Sequence, residues 1–522
     1  MTNLPRVTYS NSAADFSPLH DYLDRELPLF QSKQLGGSYG NIVGKDHDDR
    51  DGQAYKVASP IDSELLIGAF VESSKDAVDR AVAAASAAFP DWSGRPWKER
   101  VAILRKWASN LAERKYDIAM AALFEIGKSR IEAVGEAEEA VDLVNYYCDE
   151  MERNDGYRRP LKRATEREHT SSILKPLGVF AVIAPFNFPA ALSVNMITGA
   201  ILAGNTVVFK PSAGCGLSAR LLVQALFDAG LPDGVVQMLN GGAATGRMMV
   251  EHPGIAGIAF TGSHAVGMQI ARSALNGPYA KPVVAEMGGK NPAYVTRNAD
   301  LAVAAQGVAR SAFGLQGQKC SACSVAYVEA AVRDAFLDEL KSFSAKLVLG
   351  DPRKRDVFMG PIYNKAAGER FDAAVSEARK AGSVVRGGEH RKGGAFDRGI
   401  YLEPTVVALD APGRLSKEEL FLPLVVIRTA PDLKAAVKEG NNVQYGLTAG
   451  VYTKDESELQ FFLDHAEAGA IYANRASGAT TGAWPGIQTF CGWKGSGVSH
   501  KGGLGPYFVP QFMREQSQTI MT

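Results

Sequence analysis

"LGVFAVIAPFNFPAALSVNMITGAILAGNTVVF", Leu177 to Phe209, carries no charged residue over 33 positions. By length alone it can cross a bilayer, which takes about 20 consecutive apolar residues. Its punctuation argues otherwise. Pro185 and Pro189 bracket Asn187, Asn195 follows, and Ala203-Gly204-Asn205 reads as a turn. A membrane helix would have to hold two prolines and three asparagines. Read as buried strand, loop, buried helix and buried strand, the stretch is part of a parallel sheet covered on both faces. The fold class is then α/β, with no membrane partner.

Working outward, "NTVVFKPS", "VVQMLNG" and "IAGIAFTGS" are further short apolar runs closing on Pro, Gly or Ser, and helical patterns such as "SARLLVQALFDAGLP" fall between them. Upstream, 74–94 and 96–128 have helical apolar spacing, with Ser74 as the cap and a break near Pro90. The alternation predicts a doubly wound parallel sheet. A second α/β series begins near Lys290, and 522 residues are too many for one core. The expected division is 1–154 with 179–287 as a dinucleotide-binding domain and 288–498 as a catalytic domain. The charge-rich 155–178 segment and 499–522 are left over. They are expected to pair as strands between subunits, making a homodimer or higher homo-oligomer.

Lys plus Arg equals Asp plus Glu, at 57 each, which offers nothing to nucleic acid or an anionic membrane surface. The N-terminal residues show no signal or transit pattern, and five scattered cysteines form no disulfide framework, so a cytoplasmic setting is expected. Cys320-x-x-Cys323 within "GQKCSACS" raises a redox couple or half a zinc site. No second ligand pair occurs elsewhere, so no metal is expected.

Two glycine-rich turns compete for a dinucleotide. "GCGLSA", Gly214 to Ala219, fits G-x-G-x-x-A, but three residues separate it from the preceding strand and no acidic residue follows at the required distance. "FTGSHAVG", Phe260 to Gly267, runs a strand directly into a helix. Gly262 admits an anion to backbone amides, Ser263 adds a hydroxyl, the helix N-terminus adds positive potential, and Gly267 allows close packing.

Asn187 in "IAPFNFP", Lys210 in "VVFKPS", Ser263 in "FTGS", Glu286 in "EMGGKNP", Cys320 in "GQKCSACS" and Glu419 in "EELFLP" occur in that order. Together they resemble the aldehyde dehydrogenase superfamily over about residues 50 to 515. Singly, Asn187 reads equally as turn chemistry, Glu286 as a buried ion pair and Cys320 as a core thiol. The resemblance implies a variant Rossmann cofactor domain, an α/β catalytic domain and a small β oligomerisation flap. It also implies NAD as cofactor, with NADP possible because Ala213 stands where many NAD-preferring members carry an acid.

Under this resemblance Cys320 attacks the aldehyde, because sulfur can add to a carbonyl and later leave. Asn187 and the Cys320 backbone N–H hold the oxyanion. After hydride leaves, Glu286 activates the water that hydrolyses the thioester. Lys210 and Ser212 meet the adenosine ribose, Gly262, Ser263 and Gly267 shape the pyrophosphate turn, and Glu419 and Phe421 meet the nicotinamide end. Leu422 replaces the usual glycine there. Cys323 is left to pack as a small hydrophobe. "APFNF", "QGQKCSACS" and "NRASGATTG" are most similar to the branch that oxidises glutamate γ-semialdehyde in proline breakdown. That likeness implies Ser321, Gly478 and Ala479 as a carboxylate anchor, Phe188 and Phe490 as a clamp, and Glu132 against Lys319. The "AWPG" run (483–486) and Cys491 depart from that branch. The alternatives are another carboxylated semialdehyde, a cofactor-independent thiol esterase, or a non-catalytic protein on the same fold.

Overall fold

The charge-free stretch divides where its prolines and glycine require. In the computed structural model, Val179–Ile183 and Thr206–Lys210 are buried strands paired in parallel, and the helix Ala191–Leu202 between them is buried on nearly every face. Asn205 closes the turn by accepting from the Leu177 and Gly178 N–H groups at 2.7 and 3.1 Å and donating to the Phe512 carbonyl at 2.8 Å. A buried amide in an apolar run is stable only when so satisfied. The structure describes residues 4–8, 11, 14–476 and 483–522, and among these no helix is long and apolar enough to cross a membrane.

These two strands sit inside a seven-stranded sheet ordered Val283–Met287, Ile255–Gly262, Val179–Ile183, Thr206–Lys210, Val236–Met238, Asn41–Val43, Asp46–Asp49. The first five run parallel, so the turns after their C-terminal ends gather along one edge, where open α/β sheets bind ligands. Asn187, Ser212, Ser263 and Glu286 all lie at that edge. A second seven-stranded sheet runs Gly382–Arg386, Thr405–Leu409, Leu424–Ala430, Cys323–Glu329, Asn291–Val295, Thr448–Tyr452, Ala470–Ala473, parallel except at its first pair. Cys320 precedes its central strand Cys323–Glu329.

The third sheet joins the leftover segments. Met513–Met521 pairs antiparallel with Glu168–Pro176 along its whole length, and Arg158–Pro160 adds an edge. The leftover segments therefore pair as strands with each other within one chain, where the sequence leads to an expectation of pairing between subunits. One boundary also differs from expectation: the helix Lys75–Gly94, capped by Ser74, runs through Pro90 and stops at Arg95-Pro96. Proline costs a helix one hydrogen bond, which the tertiary packing of Val78, Ala81, Ala85 and Trp92 here offsets.

Candidate active site

The loop that carries Cys320 is set by strain and by carboxylates. Leu315, Gln316 and Gly317 all take positive φ (47°, 57° and 68°), a conformation costing a non-glycine residue about 1–3 kcal/mol unless its surroundings enforce it. The enforcement is visible. Glu132 accepts the Leu315 N–H at 3.0 Å and pairs with Lys319 at 2.5 Å, while the Gln316 amide donates to the Pro361 carbonyl at 2.6 Å. Asn291 donates to the carbonyls of Cys320 and Ala322 at 2.7 and 2.9 Å. Cys320 ends at the junction of two cavities. Cys323 is 1 % exposed within the second sheet's core, its thiol on the Val325 carbonyl at 3.5 Å, and both cysteines are free.

Burial and the nearby carboxylates of Glu286 and Glu419 hold the Cys320 thiol above its ordinary range. The nearest ammonium in sequence, Lys319, is already paired with Glu132. Glu286 accepts the Gly503 N–H at 2.8 Å, yet burial wins and pushes its carboxyl up to about 7. Asn187 is buried, and its side-chain amide donates to the Gln318 carbonyl at 3.0 Å, two residues before the cysteine.

One cavity, of about 440 Å³, is lined by Pro185, Asn187, Ser212, Gly262, Ser263, Glu419 and Phe421 among others. Ser263 caps the helix His264–Ser273, and Gly267 lies so close to Met287 that a Cβ would stand 2.4 Å from its sulfur. Lys210 is buried behind this wall, its ammonium on the carbonyls of Pro211 and Gly241 at 2.8 and 3.1 Å, and burial lowers it to about 8. Glu419 accepts the Gly289 N–H at 3.0 Å and is raised by burial to about 7. Leu422 turns its side chain into the core of the second sheet, away from this cavity. The competing glycines are filled by protein. A Cβ on Gly214 would meet the Tyr363 hydroxyl at 2.1 Å, and one on Gly216 would meet Phe70 at 2.4 Å.

The other cavity, about 70 Å³, is lined by Phe188, Leu192, Asn195, Glu139, Glu286, Ser321, Ala483 and Phe490 with Cys320 at its end. Gly478 and Ala479 lie outside the described residues. Trp484 of the "AWPG" run donates its indole N–H to Asp142 at 2.6 Å, and Arg6 also pairs with Asp142. Cys491 turns its sulfur onto the Gly469 carbonyl at 3.2 Å and is not among the lining residues.

Three supporting groups carry no motif. Glu136 accepts the N–H groups of Ala190 and Ala191 at 2.7 and 3.1 Å, capping the helix that follows Asn187 and Phe188. The same carboxylate pairs with Lys128, both fully buried, and the Lys128 ammonium stands 3.7 Å from the Phe188 ring centre. Asn195 meets Tyr147 across the core. In sequence the only signal for Glu136 and Asn195 was an ionic or amide residue inside a helix, and Lys128 lies in the loop between the helices Trp97–Ile126 and Arg130–Arg153.

A family model described as the aldehyde dehydrogenase family matches residues 47–517. The chain belongs to the aldehyde dehydrogenase family. The 1-pyrroline-5-carboxylate dehydrogenase of Bacillus mycoides (strain KBAB4) is 34% identical over 489 residues, 92% of this chain and 93% of that one. A solved 1-pyrroline-5-carboxylate dehydrogenase from Thermus with bound NAD matches at TM-score 0.92 and 29% identity, with both chains fully covered. An NADP-dependent glyceraldehyde-3-phosphate dehydrogenase from Bacillus halodurans C-125, complexed with NADP, matches at TM-score 0.85 and 30% identity, covering 92% of this chain and 99% of that one.

Proposed function

We propose that this protein oxidises L-glutamate γ-semialdehyde, the open form of 1-pyrroline-5-carboxylate, to glutamate with NAD or NADP. The observation that carries the reading is that Cys320 stands where a larger cavity with the more polar lining and a smaller, mostly apolar one meet. The larger cavity suits a dinucleotide: the Ser263 helix N-terminus for an anion, Ser212 for a ribose, and Glu419 with Phe421 at the far end. Bound there, NAD(P) supplies the hydride acceptor and a positive ring charge. Cys320 gives up its thiol proton to water and its sulfur adds to the aldehyde carbon, and the Asn187 amide with the Cys320 N–H accommodates the oxygen as it gains charge. Once the acyl group is a Cys320 thioester, Glu286 takes a proton from water, for which a carboxyl raised toward neutrality is suited. Phe188, Phe490 and Ser321 hold the chain of the substrate, and Lys319, fixed by Glu132, orders the loop beneath it.

The same reading assigns cofactor binding to 1–154 with 179–287, catalysis to 288–498, and self-association to 155–178 with 499–522. It sets the protein in a reducing cytoplasm, in keeping with its five free cysteines. The test is a panel of aldehydes with NAD and NADP. Glutamate γ-semialdehyde should surpass an equally long aldehyde lacking the carboxylate by roughly ten to a hundred-fold in kcat/KM for each charge-assisted bond lost. Equal turnover of simple aldehydes overturns the substrate, and ester hydrolysis without any cofactor-dependent oxidation favours the thiol esterase.

A further inference from the structure

Asn195 is 3 % exposed, in a helix whose other buried residues are almost all apolar or hydroxylic, and it shares one face with Ala191 and Leu192 along the smaller cavity. Its orientation is dictated by a relay. Tyr147, fully buried, accepts the Leu504 N–H at 2.9 Å, so its single proton is free to go to the Asn195 side-chain carbonyl, which it meets. Burial keeps this phenol far above its ordinary pKa, so it remains a donor. With Oδ1 occupied, the Asn195 Nδ2 group is left with its two N–H bonds, and among the described residues no acceptor meets it.

Across a single residue lies the complementary vacancy in bonding. Gly503 gives its N–H to Glu286 Oε1 at 2.8 Å, and a Cβ on Gly503 would stand 3.0 Å from Asn195 Nδ2. The second carboxylate oxygen of Glu286 meets no donor among the described residues, and Glu286 lines the same cavity. A spare donor and a spare acceptor thus flank one glycine, beside Leu192, Phe490 and Leu504; the other polar side chains lining the cavity are Glu139, Ser321 and Lys319, the last paired with Glu132. The cavity of about 70 Å³ exceeds the space one water needs, about 10–15 Å³.

We propose that Asn195 Nδ2 and Glu286 together hold the hydrolytic water, Asn195 donating to its oxygen while Glu286 accepts one of its protons. The inference rests on the reading of Glu286 as general base. In the step itself the remaining lone pair of the water forms a C–O bond to the thioester carbon while its proton passes to Glu286. Collapse of the adduct breaks the C–S bond, frees the carboxylic acid and leaves the Cys320 thiolate, to which the proton on Glu286 returns. Tyr147 is a positioning residue that prevents the Asn195 amide from flipping.

The experiment acylates Cys320 with p-nitrophenyl acetate, which needs neither cofactor nor the proposed aldehyde, and follows loss of the acetyl group by quenched mass spectrometry. Asn195→Leu should acylate at the parental rate but lose the acetyl group about tenfold more slowly, the scale of one ordering hydrogen bond in a dry site. Tyr147→Phe should show a smaller defect of the same kind. Asn195→Asp keeps the acceptor for Tyr147 and sets a second carboxylate beside Glu286, so the acid limb of deacetylation should move to higher pH. Unaltered deacetylation in Asn195→Leu, slowed acylation instead, or an unmoved limb in Asn195→Asp each overturn the proposal. Normal deacetylation in Glu286→Gln overturns the base assignment itself and is read separately from the Asn195 variants.

Discussion

The two cavities that meet at Cys320 are made of different material. The larger is walled by turns at the ends of parallel strands, each turn a short motif with a glycine, proline or serine whose backbone task is local. Around the motif residues Phe188, Glu286, Cys320 and Ser321, the smaller is completed by faces of the helices Arg130–Arg153 and Ala191–Leu202 and by residues from 483 onward, where a side chain counts through distant partners. A helical face can exchange a side chain without moving the backbone that carries the nucleophile, whereas a turn that caps a strand cannot.

The largest effect should come from the junction. Cys320→Ala should lower aldehyde oxidation by about 10³-fold or more, the scale of removing a nucleophile, whereas Cys323→Ala, in the core, should retain most activity when assayed in parallel. Equal loss in both would return the Cys-x-x-Cys pair to consideration.

Next, Glu286→Gln should preserve the first burst of reduced nicotinamide and slow turnover by about 10²–10⁴-fold, the worth of a positioned base. In the parent, turnover should rise with pH through about 7, because the protonated carboxyl that burial favours cannot accept a proton from water. A pH-independent turnover between 5 and 9, measured by stopped flow and steady state together, would remove Glu286 from that role. On the cofactor wall, Ala213→Glu should raise the KM for NADP about tenfold or more and spare NAD, since a carboxylate repels a 2′-phosphate; tenfold is about 1.4 kcal/mol. An equal change for both cofactors would show that this turn does not face the ribose. The smallest effect is expected at Cys491→Gly, within about twofold in kcat/KM and so under about 0.5 kcal/mol, because its sulfur faces the Gly469 carbonyl and not the cavity.

The contrast also explains what could be read in advance. The alternation of strands and helices is written in local periodicity, and Pro185, Pro189 and Asn205 mark the ends of their elements. Asn187, Ser263, Glu286 and Cys320 sit in short motifs because a turn, a cap or a strand end constrains adjacent residues. Glu136 and Asn195 carry no such trace. Glu136 caps amides 54 and 55 residues away, and the Asn195 partner Tyr147 lies 48 residues off on another helix. Pro90 was misleading for the same reason, since packing from distant residues overrides a local helix breaker.

The antiparallel ladder between Glu168–Pro176 and Met513–Met521 joins residues as far apart as Glu168 and Met521. At about 5–20 residues per second of synthesis, roughly 18–70 seconds separate the appearance of these two partners on a ribosome. Through that interval the strand Glu168–Pro176 waits with one edge unpaired, as does the place under Gly199 that Phe508 and Phe512 later fill. The order of synthesis thus makes this ladder one of the last parts of the chain to close.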